Sequence, residues 1–312
     1  MKTKIMVTGG NGLVGSALKQ ISYQFNYEYI FLSSKDGNLC DLKQTRLLFE
    51  THKPTYVIHL AACVGGLFKN MNEKVKMFED NVLINFNVVK CCHDFKVKKL
   101  ISCLSTCIFP DNTSYPINET MLHNGPPHSS NDAYAYAKRM LEIHCKTYQE
   151  KYNDNFICVI PTNIYGPNDN FNLKDGHVIP ALIHKCFLAK KEKKPFIVYG
   201  SGKPLRQFIY SEDLAYLFMW TLENYNKKDS LILSVGEKEE VSIKKVASEI
   251  AKAFDYSSMM TFDTTFSDGQ FKKTADNSKL LNLIGEYNFT SIEKGIKSSV
   301  DWFINNYEIC RK

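Results

Sequence analysis

The stretch Lys4-Ile5-Met6-Val7-Thr8-Gly9-Gly10-Asn11-Gly12-Leu13-Val14-Gly15 joins a short apolar run to a glycine-rich turn, and an amphipathic run to Ile21 follows. This order predicts a strand, a tight turn and a helix. Glycines permit the turn and let backbone amides approach a diphosphate at the helix N-terminus. The third glycine of the Gly-x-x-Gly-x-x-Gly pattern lets the helix pack closely on the strand. We therefore predict that a dinucleotide cofactor contacts Gly9, Gly12, Leu13, Val14 and Gly15.

Strand-like and helix-like patterns alternate from this turn to about residue 165. Further strands are predicted at 29–32, 56–60, 99–102 and 156–160, with long helices at 72–95 and 134–152. Such alternation predicts an α/β fold built on a Rossmann-type, doubly wound parallel sheet. The later pattern is less regular, which indicates a smaller C-terminal α/β substrate-binding lobe. We assign residues 1–165 to the dinucleotide-binding Rossmann domain, with return contributions from about 205–235, and residues 166–312 mainly to this second lobe.

The second predicted strand ends at Ser34 and Lys35, where many dinucleotide-binding folds carry an acidic residue. An acidic residue would hold a ribose diol, whereas small hydroxyls with a lysine would accept a 2′-phosphate, so NADP(H) is favoured over NAD(H). The alternative is that Lys35 is only a solvated loop charge. Asp41 could meet the adenine or cap the next helix. Ala61 and Ala62 follow the third strand, and their small size leaves room for the ribose and diphosphate of the cofactor.

A hydroxyl, a thiol and a phenol–ammonium pair occur between Ser105 and Lys138. Tyr134 and Lys138 form a Tyr-x-x-x-Lys pair one helical turn apart, so the ammonium can bias the ionisation of the phenol. Ser105 and Cys107 follow the 99–102 strand, and on an extended segment they would share a face. Open α/β sheets bind ligands at this end of their strands, so we predict a proton-transfer site here. His177 is a further titratable candidate, although an isolated histidine is more often structural.

The composition is that of an ordinary globular protein, with 44% hydrophobic and 23% charged residues. The net charge of +6 is spread along the chain except for a lysine run at 190–194, which is typical of a solvated segment, so no nucleic-acid partner is predicted. No stretch approaches the roughly 20 apolar residues that cross a bilayer, and no signal peptide is recognisable at the start. The cysteines and histidines show no metal-ligand spacing. We expect a cytoplasmic protein with no metal and no membrane partner.

Four motifs go beyond the general dinucleotide pattern. They are Leu-Ser-Thr-Cys-Ile-Phe-Pro at 104–110, Pro-Thr-Asn-Ile-Tyr-Gly-Pro-Asn-Asp-Asn-Phe at 161–171, Asp-Gly-His-Val-Ile-Pro at 175–180 and Ser-Asp-Gly-Gln-Phe-Lys-Lys at 267–273. Together with the glycine turn and Tyr-x-x-x-Lys, they make nearly the whole chain resemble the extended short-chain dehydrogenase/reductases. Within that family the chain is similar to the NADPH-dependent 3,5-epimerase/4-reductases that act on GDP-4-keto-6-deoxy-D-mannose.

The resemblance implies roles for five side chains. Tyr134 would donate a proton to the C4 oxygen during hydride transfer, Lys138 would lower the pKa of that phenol and hold the nicotinamide ribose, and Ser105 would hydrogen-bond the same oxygen. Cys107 and His177 would be the base and acid of the two epimerisations, because the ketone makes the neighbouring C–H bonds acidic. The implied cofactor contacts also include Tyr134, Lys138, Pro161, Asn163 and His177.

The resemblance also implies how the substrate and a second chain are bound. The residues that fall where the family contacts the GDP-sugar are Lys185, Tyr199, Arg206 and Lys273. Bacterial relatives carry arginine and tryptophan at the first two of these positions. A homodimer is implied, packed through the helices at 72–95 and 133–152.

Two other interpretations remain open. The first is another nucleotide-sugar enzyme of the same family, such as a 4-epimerase or a 4,6-dehydratase. A dehydratase would carry an Asp-Glu pair in place of Thr106 and Cys107, and a simple 4-epimerase has no use for both a thiol and His177. The second is a non-catalytic NADP-binding scaffold, and the intact Ser-Tyr-Lys set argues against it.

Overall fold

The computed structural model describes residues 2–266, 268 and 271–312. The strands are β1 (Lys4–Thr8), β2 (Glu28–Leu32), β3 (Tyr56–His59), β4 (Lys99–Cys103), β5 (Phe156–Pro161), β6 (Asn163–Tyr165), β7 (Phe196–Tyr199), β8 (Leu205–Arg206), β9 (Phe208–Tyr210), β10 (Leu231–Leu233), β11 (Val241–Ser242) and β12 (Met260–Asp263). The α-helices are α1 (Leu13–Ile21), α2 (Leu42–His52), α3 (Leu67–Asn72), α4 (Lys74–Asp94), α5 (Asp132–Tyr152), α6 (Val178–Glu192), α7 (Ser211–Asn224), α8 (Ile243–Ala253), α9 (Ser278–Ile284) and α10 (Ile292–Asn305). In this described part of the chain, no helix combines the length and the apolar character needed to cross a membrane.

A parallel sheet in the order β2-β1-β3-β4-β5-β10 forms the centre of the molecule. Helices cover both faces, so successive strand residues enter opposite apolar layers. Along β1, Met6 packs with residues of α2, α4 and α5, whereas Ile5 and Val7 pack with residues of α1, α7 and α9. The predicted α/β class and doubly wound parallel sheet are confirmed. The strand order reverses beside β1, which opens a crevice at the carboxyl ends of the strands.

A third apolar cluster lies outside the central sheet. It is formed by residues of α6, α8 and α10, and its aromatic members include Phe171, Phe196 and Phe303. Two-stranded sheets accompany it, pairing β7 with β12, β8 with β11 and β6 with β9. The chain then returns to the central sheet through α7 and β10, so both halves of the chain contribute to the crevice.

One short helix was not predicted. The helix predicted at 72–95 corresponds to α4, whose ends agree with the prediction to within two residues. The unpredicted helix is α3, which precedes α4 and is separated from it at Glu73, where φ is −114° and ψ is 37°. Asp213 lies in the first turn of α7, and its buried carboxylate accepts the Thr290 N–H at 2.8 Å and ties α7 to a distant loop.

Candidate active site

A cleft of about 780 Å³ lies at the carboxyl ends of the central strands. Its walls come from the glycine turn, from the ends of β2 to β5, from α5 and from the segment before α6. The predicted site residues that line it are Gly9, Gly12, Leu13, Val14, Gly15, Ser34, Ala61, Ala62, Ser105, Tyr134, Lys138, Pro161, Asn163 and His177. Residues far apart in the sequence thus meet in one cavity, as the strand-end argument predicts.

The glycine turn brings α1 to the floor of the cleft. Gly9 has a φ of +70°, and a Cβ on it would lie 2.9 Å from the backbone nitrogen of Ala61. A Cβ on Gly15 would lie 2.7 Å from Gly10 Cα, so any larger residue would force the helix away from the turn. Gly12 donates its N–H to Gly9 O at 2.9 Å and precedes the first helical residue. The free N–H groups at this helix start suit an anionic diphosphate.

The end of β2 forms a compact polar turn. Ser34 lines the cleft, and Lys35 beside it is exposed. Asp36 Oδ2 accepts hydrogen bonds from the backbone N–H and the hydroxyl of Ser33 at 2.7 and 2.9 Å, and these bonds lower the pKa of Asp36. The carboxylate of Asp36 is the one carboxylate in this turn, and it is therefore already hydrogen-bonded within the turn. The ammonium of Lys35 is left as the charge next to the cleft.

Asp41 serves as the N-cap of α2. Its Oδ1 accepts the backbone N–H groups of Lys43 at 2.7 Å and Gln44 at 3.2 Å. Asp41 does not belong to the residues that line the cleft, which at this end include Asn38 and Leu39. Of the two roles that the sequence left open for Asp41, the structure shows the cap.

The chain turns sharply after Ser105. Ser105 is extended, and Thr106–Ile108 form a single 3-10 turn whose Cys107 N–H is accepted by Ser105 Oγ at 3.4 Å. The expectation that Ser105 and Cys107 share a face of an extended segment is therefore wrong, because the serine hydroxyl folds the backbone back on itself. Ser105 lines the cleft, whereas Cys107 lines a small pocket beside it. Burial raises the pKa of the Cys107 thiol, and Lys273, Ser105 and Lys138 act in the opposite direction.

Tyr134 and Lys138 lie in the first two turns of α5. Lys138 is 1% exposed, and its Nζ donates to Cys103 O at 2.8 Å and lies 5.8 Å from the centre of the Tyr134 ring. Burial lowers the pKa of Lys138 and raises the pKa of Tyr134 well above its ordinary value, with nearby thiols adding to the second effect. The lowering of the Tyr134 pKa that was expected from Lys138 is not found, and burial sets the direction of the shift. The phenol keeps its proton at neutral pH, as a proton donor must.

His177 closes the opposite wall of the cleft. It is the N-cap residue of α6, and its side chain makes no capping hydrogen bond. The residue as a whole is exposed at the rim of the cleft, yet the surrounding protein lowers the pKa of the imidazole by desolvation. His177 is therefore mostly neutral at pH 7 and gives up a proton readily when it carries one.

The residues assigned to the substrate lie in two places beyond the main cleft. Lys185 Nζ lies 3.3 Å from the centre of the Tyr199 ring, and Phe266 stacks on that ring with centres 4.1 Å apart. Arg206 is half-buried in β8, and burial lowers its pKa. Lys273 lines the small pocket that contains Cys107. The structure thus pairs Lys185 with Tyr199 and places Lys273 next to the thiol.

The motif at 267–273 is described only in part. Ser267, Gly269 and Gln270 lie outside the described residues. Asp268 accepts the N–H and the hydroxyl of Ser201 at 2.8 and 2.6 Å. These bonds tie the loop after β12 to the turn after β7, close to Tyr199.

The cleft lining also contains residues that were given no role from the sequence, among them Asn70, Asp169 and Arg311. Asp169 is 4% exposed, its Oδ1 accepts the Asn170 N–H at 2.7 Å, and its Oδ2 has no partner among the described residues. Burial raises the pKa of Asp169 to about 7, and the nearby Arg311 acts against this effect. Asp169 lies inside a motif quoted above, so a signal was present. Arg311 reaches the cleft only through folding, and no local pattern marks it.

One backbone hydrogen bond joins the two walls of the cleft. Gly66, which precedes α3, donates its N–H to Asp175 O at 2.9 Å. A Cβ on Gly66 would lie 3.1 Å from Gly176 O, so the two segments approach closely. Gly65 on one side and Asp175 on the other both line the cleft.

Comparison with known proteins identifies the family. Residues 5–236 match the NAD dependent epimerase/dehydratase family. The chain belongs to this family. A GDP-L-fucose synthase of Dictyostelium discoideum is 54% identical over 100% of this chain and 98% of the relative. A probable GDP-L-fucose synthase of Drosophila melanogaster is 49% identical over 99% of both chains.

Among solved structures in this epimerase/dehydratase family, a GDP-L-fucose synthetase of Naegleria fowleri bound to NADP is 52% identical to this chain. Its TM-score is 0.96, and the match covers 99% of this chain and 95% of the other. The similarity therefore extends through the second lobe as well as the central sheet. The predicted resemblance to this branch of the family is confirmed.

Proposed function

We propose that this protein is an NADPH-dependent epimerase and reductase that converts GDP-4-keto-6-deoxy-D-mannose to GDP-L-fucose. The observation that carries the proposal is the thiol of Cys107, which lies two residues after Ser105 and near Tyr134, just beyond the end of β4. A reductase needs only the hydroxyl, phenol and ammonium; a thiol adds a group that can take a proton from carbon. Relatives that are 49% and 54% identical over nearly all of both chains carry the name GDP-L-fucose synthase.

The cleft fits NADP(H). Gly9 and Gly15 leave no space for side chains at the turn, so the N-terminus of α1 can approach a diphosphate. Ser34 and Lys35 supply hydroxyl and positive charge at the end of β2, which suits a 2′-phosphate. When bound, the reduced cofactor supplies the hydride for the C4 carbon of the sugar.

The chain's own residues manage the proton at the C4 oxygen. Tyr134 keeps its proton at neutral pH and donates it to that oxygen as the carbonyl is reduced. Lys138 lies 5.8 Å from the centre of the phenol ring and stabilises the phenolate left behind. Ser105 donates a hydrogen bond to the same oxygen and fixes its position.

Cys107 and His177 act on the two carbons beside the ketone. One removes a proton, the C–H electron pair enters an enolate, and the other returns a proton to the opposite face of the carbon. The enolate oxygen is the C4 oxygen that Ser105 and Tyr134 stabilise. Reduction abolishes the ketone that makes these protons acidic, so both epimerisations precede it.

The second lobe holds the GDP part of the substrate. Arg206 offers a planar guanidinium for bidentate contact with the diphosphate. Tyr199 is 57% exposed and lies against Lys185, so this pair contacts the base. Lys273 lies closer to the sugar, in the pocket of Cys107. This division assigns cofactor binding to residues 1–165, with returns from about 205–235, and substrate binding mainly to residues 166–312.

A homodimer is part of the proposal. Large apolar side chains, each at least 36% exposed, lie along α4 and α5. This apolar stripe consists of Val75, Phe78, Leu83, Phe86, Tyr136, Met140, Ile143 and Tyr152. A second copy that packs the same stripe against it would bury both, as an isologous interface does. We also propose a cytoplasmic location, which suits ten free cysteines.

One assay tests the function. The protein is incubated with GDP-4-keto-6-deoxy-D-mannose and NADPH, and the sugar product is identified by NMR. We expect GDP-L-fucose with one NADPH oxidised per product. Product with the D-manno configuration, or turnover without NADPH oxidation, would instead indicate a plain reductase or an epimerase.

A second assay tests Cys107 as the epimerisation base. In deuterated water without NADPH, the wild type should exchange the sugar protons at C3 and C5. The exchange rate should be at least about 100-fold lower in Cys107→Ser. The control is Cys310→Ser, whose thiol donates to Tyr307 O after the last helix and does not line the cleft. Wild-type exchange by Cys107→Ser would remove the base assignment and leave the reductase intact.

A further inference from the structure

A small pocket adjoins the active-site cleft behind the 3-10 turn at Thr106–Ile108. Its lining residues are Cys107, Phe109, Pro110, Asp111, Thr113, Tyr115, Ile117, His128 and Lys273. Its volume is about 10 Å³, which is at the lower limit for a single water molecule. Cys107 and Lys273 therefore line one small space with little room for screening solvent.

The backbone that carries Lys273 is fixed from both sides. Ile117 donates its N–H to Thr274 O at 2.9 Å and accepts the N–H of Asp276 at 2.8 Å. The buried side chain of Gln207 accepts the Ala275 N–H at 2.8 Å and donates to Ala275 O at 3.0 Å. Hydrogen bonds therefore hold the backbone next to Lys273, and they fix its position beside the pocket.

Charges from several elements face this pocket. Burial raises the pKa of Cys107, and Lys273 is the largest influence that lowers it, ahead of Ser105 and Lys138. Burial lowers the pKa of Lys273, whereas Cys107 raises it; Arg206 lowers it further and Asp111 acts in the opposite direction. From α5, Tyr134 and Arg139 also face the thiol, and His128 lines the same space. Among these cations, Lys273 is the one that lines the thiol's own pocket.

We propose that Lys273 is a positioning residue that acts through Cys107, holding its ammonium beside the sulfur so that the thiolate form is populated. This inference rests on the proposed function of Cys107 as the base. The thiolate takes a proton from the sugar carbon next to the ketone; the S–H bond forms, the C–H bond breaks, and its electron pair moves into the enolate. Lys273 keeps its own protons throughout. Contact with the GDP-sugar is then only part of what Lys273 does.

The test measures the ionisation of the thiol without substrate turnover. Iodoacetamide reacts with the thiolate, forming an S–C bond and releasing iodide, and peptide mass spectrometry reports the rate at Cys107 separately from the other cysteines. In Lys273→Gln we expect the midpoint of the rate-against-pH curve to rise by about one pH unit, so that alkylation near pH 8 slows several-fold. Lys273→Arg should keep the wild-type midpoint.

The adjacent lysine supplies a matched control. Lys272 pairs with Glu237 at 3.0 Å on the outside of the same segment, so Lys272→Gln should leave the Cys107 midpoint unchanged. NADPH affinity reports whether each variant is folded, and Lys273→Met is the second neutral variant if the first is unstable. Equal midpoints in wild type, Lys273→Gln and Lys273→Met would overturn the proposal.

The two experiments distinguish failure of the Lys273 role from failure of Cys107 as the base. If Cys107→Ser still exchanges sugar protons, Cys107 is not the base, whatever the alkylation curve shows. If Cys107→Ser abolishes exchange and Lys273→Gln leaves the thiol midpoint unchanged, the base assignment stands and the role of Lys273 falls. Loss of exchange together with a raised midpoint supports both.

Discussion

Tyr134 illustrates how one residue is prepared by its surroundings. Burial keeps its phenol protonated, and Lys138 lies close enough to stabilise the anion that forms after transfer. We expect Tyr134→Phe to slow NADPH oxidation about 100- to 10,000-fold. Cofactor affinity should change little, because the lost group acts on the substrate oxygen. Stopped-flow absorbance and NADPH titration measure the two quantities. Tyr148→Phe, on the same helix, should behave like wild type, and unchanged turnover in Tyr134→Phe would reject the donor role.

Asp169 makes stability depend on pH in an uncommon direction. Its pKa is about 7 in the folded protein against an ordinary 3.8, so the folded state holds a proton that the unfolded state has lost in that interval. The free energy of unfolding is therefore not reduced by Asp169 below about pH 4. It falls as pH rises towards 7, by about 4 kcal/mol in total. Asp169→Asn removes this dependence. The difference in free energy of unfolding between Asp169→Asn and wild type should therefore grow from pH 4 to 8.

Urea unfolding at several pH values measures the effect of Asp169. Asp301→Asn, in an exposed i,i+4 pair on α10, is the matched control and should give a difference that is flat with pH. A flat difference for Asp169→Asn as well would show that its carboxyl is ionised in the folded protein.

For individual residues, the sequence was informative where the interacting side chains are close along the chain. The Tyr134–Lys138 spacing fixes a helical pair, and Ser105 follows a recognisable strand. Asp169 and Arg311 meet only in three dimensions, and neither belongs to a pattern with a fixed spacing. The raised pKa of Tyr134 could not be predicted from the sequence either, because desolvation depends on how completely the rest of the chain covers the ring.

Among the elements, the turn between β1 and α1 leaves the least room for change. A Cβ on Gly15 would meet backbone atoms of Gly10, and backbone cannot swing aside as a side chain can. We expect Gly15→Ala to push α1 from the turn, lowering NADPH affinity at least about tenfold and reducing the melting temperature. Calorimetric titration and thermal unfolding measure these changes. Gly125→Ala is the control, because its Cβ would meet Pro110 only at an ordinary 3.4 Å.

The elements also show where sequence patterns stop. Periodicity located the central strands to within one or two residues, because apolar runs between turns are unambiguous there. The 3-10 turn at Thr106–Ile108 was missed, since three residues are too few for any period. The helix α3 was missed because its six residues are too few to show a helical period. Both lapses lie at the edge of the cleft, where backbone geometry serves the site.

For the whole molecule, the apolar stripe on α4 and α5 predicts the state of assembly. Phe86 is 48% exposed and stacks on His144, so it lies where the two helices meet at the surface. A glutamate there would place a charge inside the proposed interface. We expect a wild-type dimer by light scattering and a monomer for Phe86→Glu. Leu47→Glu, on α2 and 61% exposed, should remain a dimer. A monomeric wild type would contradict the proposal.

The hydrogen bond from Gly66 to Asp175 is a weak link between the two walls of the cleft. A single backbone bond is worth about 1 kcal/mol net, which favours the joined walls about fivefold. Because this bond is weak, it adds little to the barrier for entry or release of the dinucleotide or the nucleotide sugar. The residence time of a bound ligand is then set by its own contacts with the walls, not by the hydrogen bond between Gly66 and Asp175.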